Sequence, residues 1–375
     1  MHKLMTVIEQ HMTSTLEEMV QENINICEIP APSFQELNRA QYVAQRLSAE
    51  GVQEVEVDDV YNVYGRIMGS GGKPIMITAH SDTVFPLGTD VTVRREGDRL
   101  IAPGVRDNST GVAALITLAR LIRELKLTPP GDIILVATAG EEGLGDLKGM
   151  KRAMQLYRDK IAHVIAVDGN LGGLIYQGIA SRRLKVSVST GGGHSWGDFG
   201  RPSAIHALGR IIAEISRIDV PSKPRTSYNV GVISGGTSIN TIAGHAELLL
   251  DMRSVDPIEL AKVEDKARRV ITAEARGAGV TVEIELVGDR PGGALSSDHI
   301  LVQTVRNIQR SLGLTSIEEA SSTDANVPLS QGLPAVCIGI TEGRGAHRLD
   351  EYLNITPMIK GMQQLVAVVW ETQQL

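Results

Sequence analysis

The sequence predicts an α/β fold interrupted by a smaller α+β domain of ferredoxin-like order, and three observations predict it. At 375 residues the chain is longer than a single hydrophobic core usually supports, so two domains are expected. Short apolar runs alternate with helix-period segments, at the spacing of βαβ units, on both sides of a central stretch. Inside that stretch the order changes to strand, helix, strand, strand, helix, strand.

Two helical segments open the chain, at about 5–27 and 35–51. Residues 1–22 scatter Glu9, His11, Glu17 and Glu18 among apolar positions, an amphipathic pattern unlike the continuous apolar core of a secretory leader. Strands are expected at 52–57, 62–67, 74–79, 133–139 and 163–167, mostly as short apolar runs bounded by Gly, Pro or Asp, with a helix at 111–124. The central stretch reads as strand 184–189, helix 203–216, strands 228–233 and 246–252, helix 257–277 and strand 280–286. A Pro/Gly-rich exit follows at 289–293. The α/β order then resumes with a helix at 298–312, a strand at 335–340 and a final helix at 357–371. The expected domains are residues 1–181 with 291–375, and residues 182–290 as an insertion.

Composition narrows the chemistry. No apolar run approaches the roughly 20 residues that span a bilayer, so no membrane association and a cytoplasmic location are expected. Cys27 and Cys337 are the only cysteines, which excludes a disulfide framework or a cysteine-rich metal site; any metal must be held by His and carboxylates. The net charge of -7 comes without a basic stripe, and aromatic residues are only 3%, so no nucleic acid partner is expected.

Acidic residues and histidines recur just after apolar strands, where open α/β sheets place their ligands. The run 75–79 ends at His80, with Asp82 two residues on. The plain alternative is a turn with a capping Asp; the chemical one is an imidazole held in its tautomer by a carboxylate. Asp107 stands in Gly104-Val105-Arg106-Asp107-Asn108-Ser109-Thr110-Gly111, which reads as a helix cap or as a carboxylate placed to bridge two cations. Glu141 and Glu142 lie between Gly140 and Gly143. Adjacent glutamates repel unless solvent or cations relieve them, and a metal site divides their labour between ligand and proton acceptor. Asp168-Gly169 reads as a turn or a strand-end ligand, and His347, in a Gly-rich loop, as exposed or ligating. Two imidazoles and several carboxylates suit paired divalent ions held without cysteine.

In this order, His80-x-Asp82, Asp107, Glu141-Glu142, Asp168 and His347 resemble the M20 family of metallopeptidases and deacylases. The resemblance spans essentially the whole chain. It includes the insertion between Asp168 and His347, which the M28 aminopeptidases, with a similar ligand order, lack. It implies a zinc-exopeptidase-like catalytic domain with an inserted ferredoxin-like lid and dimerisation domain. It further implies two divalent ions, zinc or in its place cobalt or manganese: His80, Asp107 and Asp168 on one, Asp107, Glu142 and His347 on the other. Glu141 would be the general base towards water and Asp82 would orient His80. Gly191-Gly192-Gly193-His194-Ser195 resembles the segment whose histidine reaches a neighbouring subunit's site and helps bind the oxyanion. Asn240 and Arg253 resemble substrate-holding residues of the insertion. Two departures stand out: Asn108-Ser109-Thr110-Gly111 follows the bridging Asp, which leans towards the tripeptidase-like branch, and Asn240 lacks the proline often found after it. The implied activity is hydrolysis of an amide bond in a small peptide, with N-acyl amino acid deacylation as its rival and a catalytically inactive peptide-binding or scaffold protein as the reading from another class. A homodimer through the insertion is also expected.

Overall fold

Apolar positions three and four apart turn inward when the segments that carry them coil. In α1 (His2–Cys27) Met5, Ile8, Met12 and Met19 are buried, and in α2 (Leu37–Ala49) Ala40, Val43 and Leu47. The structure, a computed structural model, describes residues 2–375. β1 (Gln53–Val57), β2 (Val63–Ile67), β3 (Gly72–His80), β4 (Arg94–Glu96) and β5 (Arg99–Ile101) follow. Then come α3 (Ser109–Glu124), β6 (Gly131–Thr138), α4 (Lys148–Tyr157), β7 (Val164–Val167) and β8 (Gly173–Gly178). The central segment supplies β9 (Ala180–Ser189), β10 (Gly193–His194), α5 (Ala204–Ile215), β11 (Thr226–Gly235), β12 (Thr241–Ile242), β13 (His245–Ser254), α6 (Pro257–Ala278) and β14 (Thr281–Arg290). The chain closes with β15 (Gly293–Ala294), α7 (Ile300–Ser311), β16 (Ile317–Ser321), α8 (Asn326–Ser330), β17 (Ala335–Ile338), β18 (Gly343–Arg344), β19 (Tyr352–Asn354) and α9 (Met358–Thr372). The α/β class read from the sequence holds.

The chain divides into two units, one running to Gly178 and resuming over Ala294–Leu375, the other Ile179–Gly293. In the first, the main sheet runs β1-β2-β6-β3-β7-β17-β8, with β16 beside β8. β6, β3, β7 and β17 are mutually parallel, and both their faces are covered. Ile75, Ile77, Ile133 and Leu135 pack into the core that α1, α3 and α9 share, whereas Met76, Ile134 and Val136 pack on the opposite face with Met150 and Met154 of α4. Alternate residues of a strand point to opposite faces, which explains why these runs are apolar without a break. A second, small sheet in the order β18-β19-β5-β4 ties the 343–354 loop to the segment just before Ala102, with Tyr352 opposite Ile101.

The second unit is a four-stranded antiparallel sheet, β11-β13-β9-β14, with α5 and α6 packed on one face. Its own core gathers Leu184, Val186 and Val188 of β9, Leu248 and Leu250 of β13, Leu208 and Ile211 of α5 and Ile271 of α6. A separate two-stranded ribbon pairs β10 with β12, His194 opposite Thr241.

Candidate metal centre

Four parallel strands deliver their C-terminal ends to one edge of the main sheet. β3 ends at His80; the turn after β6 carries Glu141 and Glu142; Asp168 follows β7; and the chain leaving β17 runs on to His347. Asp107 reaches the same place from the loop ahead of α3. There Asn108 does the capping: its Oδ1 accepts the Gly111 N–H at 3.1 Å and its amide donates to the Val167 carbonyl at 2.8 Å. A side chain at Gly111 would collide with Asn108 Oδ1 and the Val167 oxygen, so helix start, cap and β7 close on one another only through glycine. Capping falls to Asn108, which leaves the Asp107 carboxylate facing His80.

His80 Nε2 lies 3.1 Å from Asp107 Oδ1, and His347 Nε2 lies 2.8 Å from Glu142 Oε1 and 3.6 Å from Asp107 Oδ2. One ligand atom each from His80, Asp107 and Asp168 falls within a mutual 4.8 Å, and so does one each from Asp107, Glu142 and His347. Asp107 belongs to both sets. His80, Glu141 and Glu142 form a third grouping on the same criterion, which puts Glu141 beside the cluster. The donor chemistry, imidazole nitrogen and carboxylate oxygen with a shared carboxylate, fits two divalent ions.

Asp82 acts mainly through its neighbours' main chains. Its Oδ1 accepts the Glu141 N–H at 2.9 Å, its Oδ2 the Glu142 N–H at 3.0 Å and the Ser33 hydroxyl at 2.6 Å. His80 Nδ1 is 3.1 Å from the Asp82 main-chain oxygen and 3.7 Å from its carboxylate. Asp82 thus clamps the Glu141–Glu142 turn as well as facing the His80 ring. Burial pushes the Asp82 carboxyl up, but His80, Ser33 and the Glu142 N–H outweigh it and hold it at about 2.

Charge is crowded here. Burial disfavours a proton on His80, yet Asp107, Asp82, Glu141 and Asp168 raise it well above the ordinary histidine value, and Glu142 raises His347. Burial and the neighbouring Asp107 carboxylate push Asp168 up. So many carboxylates around two imidazoles favour positive charge at this place, which cations binding here would supply.

Two residues that the sequence did not single out complete the site. Glu351, fully buried, accepts the main-chain N–H groups of Gly104 at 3.0 Å, Arg106 at 3.0 Å and Asp107 at 2.8 Å. Burial and the Asp107 charge push its carboxyl up to about 7, against those same N–H groups and Arg106. The Arg106 side chain, 9% exposed, lies under Gly343 with Nη2 4.0 Å from Asp107 Oδ2. No local pattern marks either residue.

Three predicted residues lie in the second unit. His194 Nδ1 accepts the N–H groups of Trp196 and Gly197, both at 3.2 Å, so the ring proton sits on Nε2 and the neutral ring is a hydrogen-bond donor there. The Asn240 main-chain oxygen accepts the Ser195 N–H at 3.0 Å, which places Asn240 on the His194 ribbon; its Oδ1 accepts from Ser238, leaving the amide NH2 to donate. Arg253 Nε donates to Asp251 Oδ2 at 2.7 Å.

Comparison with known proteins adds the family. The profile of peptidase family M20/M25/M40 matches residues 76–371. The chain is 23% identical to the uncharacterized protein YqjE of Bacillus subtilis, over 95% of this chain and 98% of that one. It is 26% identical to acetylornithine deacetylase of Pectobacterium atrosepticum over 82% of each. Among solved structures, a tripeptidase from Staphylococcus aureus shares the fold at a TM-score of 0.80 and 19% identity, covering 96% of this chain and 99% of that one. Among the described residues no helix is long and apolar enough to cross a membrane.

Proposed function

The chain belongs to peptidase family M20/M25/M40 and is a metal-dependent hydrolase of amide bonds, and we propose that it cleaves the amide of a small peptide with two divalent ions. The observation that carries this reading is the sharing of Asp107 between two donor sets, with Glu141 beside both. His80, Asp107 and Asp168 would hold one ion, and Asp107, Glu142 and His347 the other. The ions, zinc or in its place cobalt or manganese, would supply Lewis-acid polarisation of the amide carbonyl and a more acidic water. Glu141, its main chain fixed by Asp82, takes the proton of the attacking water and returns it to the leaving nitrogen. Asp82 holds the turn so that Glu142 and Glu141 keep separate roles.

We assign His194 the part of a neutral donor to the developing oxyanion, supported by its Nε2 proton, and Asn240 that of a second donor on the same ribbon. Arg253, with Asp251 as its resting partner, is assigned to holding the substrate from the second unit. A homodimer through the second unit would let His194 serve a partner's site. N-acyl amino acid deacylation, the activity named for the Pectobacterium relative, uses the same donors and is the second reading.

Metal-stripped protein reloaded with zinc, cobalt or manganese should cleave members of a panel of dipeptides, tripeptides and N-acetyl amino acids. Glu141→Gln should keep two bound ions and lose turnover by about 10²–10⁴-fold, the usual worth of a positioned acid–base group. Unchanged turnover in that variant would remove Glu141 from the reaction.

A further inference from the structure

A guanidinium carries five N–H donors and a permanent charge, and burying one without partners is costly. Arg106 is in that position. It is 9% exposed, its buried Nε has no hydrogen-bond partner, and among the described residues its side chain makes no hydrogen bond at all. The nearest carboxylate, Asp107, stands 4.0 Å from Nη2, outside hydrogen-bond range, and its Oδ1 already faces His80 at 3.1 Å. Glu351 does not pair with the side chain either; it takes the Arg106 main-chain N–H. Gly343 leaves the room through which the Arg106 stem passes: a Cβ there would stand 2.6 Å from Cδ. The other candidate cation, Arg253, has a carboxylate at 2.7 Å. Two other buried arginines show what satisfaction looks like: Arg39 has three main-chain oxygens and Arg120 has Glu18, Glu22 and Glu50. Arg106 has no such partners, and it lies beside the carboxylate common to both donor sets.

We propose that Arg106 is a substrate-binding residue that takes the carboxylate of the amino acid on the leaving-nitrogen side of the scissile amide. The anion supplies the bonds that the fold withholds. Asp107 Oδ2 is 4.0 Å from Arg106 Nη2 and 3.6 Å from His347 Nε2, so the guanidinium stands no farther from the His347 donor than those two distances together, a spacing that one amino acid can bridge. The substrate class that meets this spacing is an N-acyl amino acid or a peptide losing its C-terminal residue, rather than one recognised by its free amine. The inference rests on the amide-hydrolase reading of the same site and narrows it.

The test compares each substrate as free acid and as carboxamide, using zinc-loaded wild type, Arg106→Met and Arg106→Lys, with metal content and melting temperature measured for all three. Wild type should favour the acid by at least about 10²-fold in kcat/KM, chiefly through KM, because a site built around a polar group rejects the analogue that lacks it. In Arg106→Met the ratio should fall close to one, and Arg106→Lys should keep part of it. Calorimetry gives a readout without turnover: N-benzylglycine should bind wild type more tightly than its carboxamide, and this difference should vanish in Arg106→Met. A wild type that cleaves acid and carboxamide equally, or an Arg106→Met that keeps the acid preference, overturns the assignment while leaving the hydrolase reading intact. A loaded wild type that cleaves nothing in the panel defeats the hydrolase reading instead, and the calorimetric pair then decides on Arg106 alone.

Discussion

Glu351 shows how one side chain ties together donors that are far apart in sequence. Four residues after His347, it accepts three main-chain N–H groups of the Asp107 loop, across sequence separations of 244 to 247 residues. Groups that orient metal donors are commonly worth 10–100-fold in metal affinity. Glu351→Ala should therefore weaken binding of the less tightly held ion by roughly that factor, measured by dialysis against a competing chelator, with Gln restoring part of it. A variant that stays folded with wild-type affinity would reduce Glu351 to a packing residue. His163 gives a residue-scale prediction away from the donors. Burial, helped by nearby His299, pushes its imidazole down to about 4, and Nε2 has no partner among the described residues. The unfolded chain takes up this proton near the ordinary value of 6.5 and the folded one only near 4. The neutral ring's contribution is thus complete above pH 6.5 and is lost as pH falls towards 4, by up to about 3 kcal/mol. In metal-free protein His163→Phe should flatten the fall of the urea midpoint between these pH values; an unchanged slope would mean that His163 is not the group responsible. Sequence marked His80, Asp107, Glu141, Glu142, Asp168 and His347 because each follows an apolar run or sits in a Gly-rich loop. Arg106, Ser33 and Glu351 carry no such mark, because what distinguishes them is a partner, or the lack of one, that only the folded chain reveals.

Elements that bury continuous apolar runs were legible, and those defined by pairing alone were not. β3, β6, β7 and β17 lie within a few residues of their expected places because each is apolar on both faces. β4, β5, β18 and β19, two or three residues each and largely exposed or half-buried, exist only through one another. α4 went unread for a different reason: Asp146 and Leu147 enter it in the left-handed region with no capping side chain, so its start lacks the usual signature. The small sheet nevertheless sets the site, since it brings the 343–354 loop beside the Asp107 loop. α9 supports the same loop from behind. Gly361 lets that helix press against the chain leaving β17, where a Cβ would meet the Ile340 carbonyl at 1.8 Å. Gly361→Ala must push helix and strand exit apart, at a cost of about 1–3 kcal/mol typical of overpacking. The expected result is a lower urea midpoint, together with weaker metal binding because the displaced chain leads to His347; a midpoint equal to wild type would show that the helix yields freely.

At the scale of the whole molecule the chain builds separate cores on either side of Ile179 and Gly293. The core of the second unit draws on β9, β13, α5 and α6 without a buried residue from outside Ile179–Gly293, whereas every residue of the candidate metal centre comes from the first unit. Its strands alternate between core and surface: β13 turns Ala246, Leu248, Leu250 and Met252 to its helices and leaves Glu247 and Leu249 only partly covered. A segment of this size with its own core meets the usual condition for independent folding. Residues 179–293 expressed alone should give a cooperative thermal transition and dispersed amide spectra. Metal then separates the two units. Ligand that binds only the native state stabilises it by RT ln(1 + [L]/Kd), about 2.7 kcal/mol at a hundredfold excess over Kd. Zinc should raise the melting temperature of the full chain and leave that of the 179–293 fragment where it was. A fragment that fails to fold would make the second unit dependent on the first, and one that zinc stabilises as strongly as the full chain would place a cation site outside the cluster around Asp107.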